Sequence, residues 1–395
     1  MRQPGVLDFE SFSLLSRDCP ICQESNPAPI YINKMAPIGG FDMSYQIGRC
    51  TKCGFHFAHV LADEPTFKKY YQSVSKYDVA GYISKIDQLR IDAAVRICQG
   101  KIPYSAMVVD LGCGYGALLS CLQSAGWTNL HGIDPAPNSA ARANELFGLK
   151  NIYCSTMAEA HKAVPLDKAD LVCIMAVLEH LPNLRADLAD LLKKLRPGCR
   201  ILVEVPALGC FTGANSEPFG EFSLEHIQFF SALSLTNFFG SLGAKTLAIE
   251  TVDLQLVTSG GLFGLFELTS DAPTSFEPIP ENPEEMATYI EQSKSKLDAA
   301  LERVPNAPLI IYGAGSHTAR LLPRLAGMAG KRVVAVVDNN PNLLGKRIGE
   351  WVIQSPSVIE TLPDTHILIS SFRSQEEIAS TLRGRYPNPL VLLYQ

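Results

Sequence analysis

The stretch Val108-Val109-Asp110-Leu111-Gly112-Cys113-Gly114-Tyr115-Gly116 constrains the fold of this 395-residue chain more than any other. It comes off an apolar run that reads as a buried strand and opens a helical pattern. Glycines at 112, 114 and 116 let the backbone pass close to a ligand. Strand-like runs continue at Leu130-His131-Gly132-Ile133-Asp134, Asp170-Leu171-Val172-Cys173-Ile174 and Arg200-Ile201-Leu202-Val203-Glu204-Val205, with helical patterns between them. Such alternation predicts a parallel sheet with helices on both faces, an α/β fold. A proline-rich, acidic stretch over 271–283 reads as a linker and a helix pattern follows to about residue 303. A second alternation then runs through Leu309-Ile310-Ile311-Tyr312, Val333–Val337, Ile367-Leu368-Ile369 and Leu390-Val391-Leu392. The expected organisation is a lobe over 1–66, a helical connector over 67–105 that contributes to a substrate site, an α/β domain over 106–270, a linker and helix over 271–305, and a small Rossmann-like α/β domain over 306–395.

Two CxxC pairs, Cys19-Pro20-Ile21-Cys22 and Cys50-Thr51-Lys52-Cys53, lie in the first lobe. Each can wrap two thiolates around one ion, and two such knuckles complete a tetrahedron. Gly54 follows the second pair and suits the turn a knuckle needs. A closed four-cysteine shell leaves no open position, so the expected ion is a structural zinc that helps fold a lobe too short to hold a core alone. Net charge is −6, with no basic footprint. Nucleic acid and anionic membrane are therefore not expected partners. There is no apolar run of membrane-spanning length and no signal-peptide core at Met1-Arg2-Gln3-Pro4, so the expected location is cytoplasmic. There the 11 cysteines are metal ligands or buried apolar groups rather than disulfides.

A lone glycine loop also serves NAD and FAD, and its context decides between ligands. Asp110, inside the loop, can accept a hydrogen bond from an ammonium group, which S-adenosylmethionine has and NAD lacks. Asp134 ends the next strand, where a carboxylate can hold both ribose hydroxyls. The run Asp170 to Leu181, ending Val177-Leu178-Glu179-His180-Leu181, falls at the spacing of a fourth strand. This constellation closely resembles the class I S-adenosylmethionine-dependent methyltransferases. The resemblance implies a seven-stranded Rossmann-like sheet whose seventh strand is antiparallel. It also implies a cofactor site of Asp110, Gly112, Cys113, Gly114 and Gly116 at the methionine and sugar end, with Asp134 and Pro135 at the ribose. Residues near Ser155, Thr156 and Met157 would flank the adenine, and Ala176 and Val177 would line the pocket beside the methyl. Glu179-His180 is read as a pair that packs locally at the start of a helix.

The order of parts, with Tyr70-Tyr71-Gln72-Ser73-Val74-Ser75 and Glu221-Phe222-Ser223-Leu224-Glu225-His226-Ile227-Gln228-Phe229-Phe230-Ser231, resembles the zinc-binding nucleotide-sugar C-methyltransferases of deoxysugar biosynthesis. That resemblance implies a nucleotide-sugar substrate and assigns the Glu-His pair to catalysis. The physical reading of these residues agrees. A carbon beside a ketone loses a proton if a base is near and the enolate oxygen is stabilised. His226 would be the base, Glu225 would orient it, and Tyr71 would hydrogen-bond the keto oxygen. Alternatively the same pair deprotonates a hydroxyl or amine, making an O- or N-methyltransferase for a sugar or small metabolite, or it is a surface turn. Position 222 is Phe where many relatives carry tyrosine. In the C-terminal domain, Tyr312-Gly313-Ala314-Gly315-Ser316-His317-Thr318 has Thr at the third glycine of a dinucleotide fingerprint, so no second cofactor is expected there, although Asp338 mimics a ribose ligand. The expected assembly is a monomer or a homodimer.

Overall fold

The computed structural model describes residues 14–74, 83–213, 216–254, 260–270 and 284–394, with the side chains of Leu14 and of 71–74 excepted. The linker expected over 271–283 lies outside the described residues. Three sheets organise the rest.

The first is antiparallel. It is built from β1 (Leu14–Ser16), β2 (Ala28–Asn33), β3 (Tyr45–Arg49) and β4 (His56–Ala62), in the order β1-β4-β3-β2. The expected helical stretch after it is two helices, Glu64–Val74 and Lys85–Cys98. Ser84 caps the second, accepting from the Asp87 amide at 3.1 Å and so satisfying one of the free N–H groups of the first turn.

The second sheet starts with β5 (Met107–Leu111), buried along its whole length as a strand covered on both faces must be. β6 (Asn129–Asp134), β7 (Ile152–Cys154), β8 (Leu171–Met175) and β9 (Arg200–Pro206) join it in parallel. The chain then returns to the first sheet. β10 (Gln228–Phe229) pairs with β4 through Gln228↔Phe57 and Phe229↔His56. It comes back through β11 (Ala244–Val252) and β12 (Gly261–Leu268), giving the order β11-β12-β9-β8-β5-β6-β7. β12 runs antiparallel to both neighbours. This is the expected seven-stranded sheet with one reversed strand.

A helix over Glu284–Glu302 leads to the third sheet: β13 (Pro308–Tyr312), β14 (Arg332–Val337), β15 (Arg347–Ile348), β16 (Trp351–Gln354), β17 (His366–Ile369) and β18 (Leu390–Leu392). All its pairs are parallel except the β15–β16 hairpin, which the sequence did not announce.

The first sheet lies between the other two. Phe55 and Phe57 share an apolar cluster with the four CxxC cysteines, Leu184, Leu188, Phe230 and Phe238 of the central part. Ala58, next along the strand and pointing the other way, belongs to a cluster with Met286 and Leu297 of the long helix and Leu321 and Leu322 of the C-terminal part. A strand presents successive side chains to opposite faces, so β4 serves two cores at once.

Candidate functional site

The residues expected to hold a cofactor converge at the C-terminal edges of β5, β6 and β8, where the strand order reverses and open α/β sheets bind ligands. The Gly112 and Cys113 amides donate to the Ile133 carbonyl at 2.8 and 3.1 Å, which folds the glycine loop over β6. Gly112 has φ +82°, and a Cβ there would come within 2.7 Å of Val177 Cγ2, so the loop touches the segment after β8 only because the residue is glycine. Ala176, beside it, is a non-glycine residue at φ +53°, an uncommon conformation held here by its amide bond to the Glu204 carbonyl at 3.0 Å. Ser155 donates from its amide to the Asp134 carbonyl at 3.1 Å, bringing Thr156 and Met157 to the same edge. Pro135 offers its carbonyl to the Cys154 thiol at 3.7 Å.

Asp134 accepts from the Gly114 amide at 2.8 Å through Oδ2, and from the Ala136 amide and Ser139 hydroxyl at 2.9 Å through Oδ1. A carboxylate has about four acceptor positions, so capacity for a ligand hydroxyl remains. Asp134→Ala is expected to weaken cofactor binding by about 2–3 kcal/mol, the scale of hydrogen bonds to a charged group. Unchanged affinity by calorimetry would move the adenosine pocket elsewhere. Asp110 is buried, and its Oδ1 has no hydrogen-bond partner. Burial and then the charge of Asp134 push its carboxyl up to about 7. An orphaned buried acid of this kind suits a cationic ligand group.

A second cluster lies next to this one. Ser223 Oγ accepts from the amides of Glu225 and His226 at 3.2 and 3.0 Å, which turns the chain into β10. The His226 ring meets the His180 ring edge-on with centroids 5.0 Å apart, and its Nδ1 lies 3.9 Å from Glu221 Oε2. His180 Nδ1 is 3.1 Å from the Glu225 carbonyl oxygen. A carbonyl only accepts, so Nδ1 carries the proton and Nε2 the lone pair, 3.7 Å from Glu179 Oε1. Glu179 is buried and its Oε2 is unpaired; burial and then the charge of Glu204 push its carboxyl up to about 8. Burial holds His180 below the usual histidine range. Glu179, His180 and His226 thus bring ligand-type atoms within 4.8 Å of one another. The reading of Glu179-His180 as local packing alone is corrected here. The Ile227 amide donates to the Glu179 carbonyl at 2.8 Å, and this link, 48 positions long, carries the pair to His226.

Tyr70 donates its hydroxyl to Glu225 Oε1 at 3.0 Å and is buried. The Tyr71 side chain lies outside the described residues, so the tyrosine seen at the pair is its neighbour. Sequence reasoning also missed Arg90 and Glu204. They form a partly buried ion pair 114 positions apart, with Arg90 Nε 3.0 Å from Glu204 Oε1. Only contact between the helix Lys85–Cys98 and β9 reveals it.

The loop before the pair is fastened by all three parts. Asn33 Nδ2 and Arg320 Nη2 donate to the Phe222 carbonyl at 3.1 and 2.8 Å, Tyr45 to the Ser223 carbonyl at 3.0 Å, and the Glu221 amide to Tyr289 Oη at 2.9 Å. Phe222 is fully buried among Tyr31, Phe219, Phe229 and Tyr289. A hydroxyl at that place would need a partner within an aromatic cluster. In the C-terminal part, Ala314 donates its amide to Asp338 Oδ2 at 2.7 Å, and Thr318 places its hydroxyl on the Ser370 hydroxyl at 2.7 Å.

Cys19, Cys22, Cys50 and Cys53 are all buried free thiols. Their sulfurs lie within 4.8 Å of one another, with Cys19–Cys53 at 3.6 Å and Cys22–Cys50 at 3.4 Å. The Cys53 amide points at Cys50 Sγ at 3.4 Å, orienting that sulfur. No helix among the described residues is long and apolar enough to cross a membrane.

Residues 83–249 match the family described as a methyltransferase domain. Over 234 residues the chain is 27% identical to "C-methyltransferase NovU" of Streptomyces niveus, covering 58% of this chain and 52% of that one. Over 103 residues it is 31% identical to the "Ubiquinone biosynthesis O-methyltransferase" of Aeromonas salmonicida, covering 25% of this chain and 43% of that one. The chain thus spans about half or less of the length of these curated relatives. Among solved structures it is similar to the 1,6-didemethyltoxoflavin-N1-methyltransferase of Burkholderia thailandensis, with 15% identity, a TM-score of 0.41, and coverage of 62% of this chain and 100% of that one. With the glycine loop, the reversed strand and the two acids at the strand edges already in place, the family match over 83–249 identifies this part of the chain as a class I S-adenosylmethionine-dependent methyltransferase domain.

Proposed function

We propose that this protein methylates a carbon next to the ketone of a nucleotide-linked keto sugar, with the Glu225-His226 pair generating the enolate. The observation that carries the reading is the cluster of His226, His180, Glu179, Glu225 and Tyr70, set where the segment after β8 meets β10. An O- or N-methyltransferase needs one base for an acidic proton. A carbon acid needs a base and donors that hold the developing oxyanion. Similarity to a C-methyltransferase supports this reading. Similarity to an O-methyltransferase supports the second one, in which the same pair deprotonates a hydroxyl of a sugar or small metabolite.

Asp110 would hold the cofactor's ammonium, Asp134 its ribose, Thr156 and Met157 its adenine, and Ala176 and Val177 would wall the reacting end. S-adenosylmethionine, when bound, supplies a methyl group on a sulfonium. His226 takes the proton from the acceptor carbon. Glu225, which accepts from Tyr70, would orient the ring, and Glu221 Oε2 lies 3.9 Å from its Nδ1. Glu179, its carboxyl pushed up to about 8 by burial, offers an unpaired oxygen beside His180. Tyr71, by its motif position, donates to the keto oxygen. The test is deuterium exchange at the carbon next to the ketone, measured with S-adenosylhomocysteine bound and a panel of nucleotide keto sugars. Exchange that disappears in His226→Ala is expected. A methylated hydroxyl or amine with no exchange would establish the second reading.

The four cysteines fit a structural zinc. At a zinc–sulfur distance of about 2.3 Å a tetrahedron has sulfur–sulfur edges of about 3.8 Å, near the separations here.

Asp110 makes cofactor affinity pH-dependent. In the free protein its carboxyl is raised to about 7, and an ammonium ligand favours the ionised form. Below that pH, binding must expel the proton, so affinity falls as pH falls, by up to about tenfold per unit. Calorimetry across pH 5.5 to 7.5 is expected to show this slope and the released proton, and Asp110→Asn to flatten it.

A further inference from the structure

Arg17 stands where three segments meet. It follows β1 directly and precedes Cys19 by two residues. Its Nε donates to the Ala58 carbonyl at 2.7 Å, Nη1 to the Pro182 carbonyl at 2.7 Å and Nη2 to the Ile227 carbonyl at 3.0 Å. Ala58 is on β4. Pro182 lies two positions after His180, and Ile227 directly follows His226. The same junction is laced by backbone: the Ala58 amide donates to the Ile227 carbonyl at 2.9 Å. Gln228 Nε2 adds a bond to the Leu181 carbonyl at 2.9 Å. The guanidinium also lies 5.5 Å from the Phe57 ring centre. A guanidinium is a planar fork with five donors, so one side chain can fix three carbonyls at once.

All three acceptors are neutral, and among the described residues no carboxylate pairs with Arg17. Arg185 is placed similarly: its Nη1 donates to the Ile21 carbonyl at 2.7 Å and the Ser241 hydroxyl at 2.9 Å. A cation partly withdrawn from water and given only neutral partners is costly. Both arginines stand at the first knuckle: Arg17 two residues before Cys19, and Arg185 on the carbonyl of Ile21, between Cys19 and Cys22. Four thiolates on a divalent ion carry a net double negative charge. Two guanidiniums match it.

We propose that Arg17 is a positioning residue that anchors the His180 and His226 segments to the N-terminal sheet, its charge balanced by the metal–thiolate centre, with Arg185 as the second counter-cation. This rests on reading the four cysteines as a zinc site and His226 as the base. The zinc then has a consequence beyond folding its own lobe: it secures the cation that ties both catalytic segments in place.

The test compares Arg17→Met, Arg17→Lys and Arg185→Met in the full chain. It reads zinc transfer to a chelator, the imidazole NMR signals of His180 and His226, and kcat against KM. Arg17→Met is expected to speed zinc release about 10–100-fold, the usual effect of losing an outer-shell partner. It should also shift both ring signals and lower kcat with cofactor affinity unchanged. Arg17→Lys is expected to keep the zinc, because the charge is kept, yet show displaced ring signals, because an ammonium cannot span three carbonyls. Arg185→Met is expected to release zinc faster and leave both rings as in the wild type. Zinc release and ring signals unchanged in Arg17→Met would overturn the proposal, and so would full recovery of the rings in Arg17→Lys. Should Arg17→Met fail to fold, the lysine variant decides alone. If His226→Ala retains turnover, the base assignment fails, while zinc release and ring signals still judge Arg17.

Discussion

Replacing His226 with alanine is expected to lower turnover by about 10²–10⁴-fold, the range for loss of a general base. Affinity for S-adenosylmethionine should stay within about twofold, because a base acts on the acceptor and the cofactor is held elsewhere, by the 110–116 loop and Asp134. The wild-type pH–rate profile should have an acidic limb that the variant loses. Glu225→Gln should cost less if the carboxylate only orients the ring, and its Oε1 would still accept from Tyr70. His180 is the informative control. Its ring is 5.0 Å from that of His226, but burial disfavours its protonated form. If His226→Ala keeps near-normal turnover on the true acceptor, His180 becomes the first candidate for the base.

The second large effect concerns metal. Elemental analysis should find about one zinc per chain, the stoichiometry of a single tetrahedral site. Cys22→Ser should lower stability and yield before it alters chemistry. In small zinc modules metal binding is worth about 10–16 kcal/mol of folding free energy. Here the lobe also shares its core with Leu184, Leu188 and Phe230, so part of the structure persists without the ion. A loss of several kcal/mol would still lower the melting temperature by on the order of 10 °C in a chain this size. Wild-type protein that contains no metal and melts normally would refute the zinc assignment.

The strand, loop and acid arrangement around Asp110 and Asp134 was legible in the sequence because that information is local. Strand, glycine loop and helix follow one another over Met107–Ser124, and Asp134 ends the adjacent strand. The N-terminal sheet was unreadable for the opposite reason. β1 has three residues and β10 two, and their partner residues on β4 are 44 to 173 positions away. No periodicity survives in segments that short. The acceptor side was half legible. Glu225-His226 stood out by motif, whereas Glu179-His180 looked like a helix start because the Ile227–Glu179 bond that joins it to the site leaves no local trace. Tyr70 and Tyr71 are consecutive residues of one helix, and spacing to a distant motif cannot choose between them. Arg90 and Glu204 are an ion pair that only folding brings together.

The position of β4 bears on how such proteins can be recombined. Phe57 and Ala58 are consecutive, yet they feed separate apolar clusters, and β10 adds to the same strand two residues after His226. Acceptor chemistry is therefore not a detachable cassette. A chimera that imports residues 83–249 from another enzyme brings a foreign β10 to a resident β4. It changes the edge from which Glu225 and His226 are hung and unsettles both cores through one strand. Exchanges that preserve function would have to move β4 and β10 together, with one join ahead of β4 and the other beyond β12.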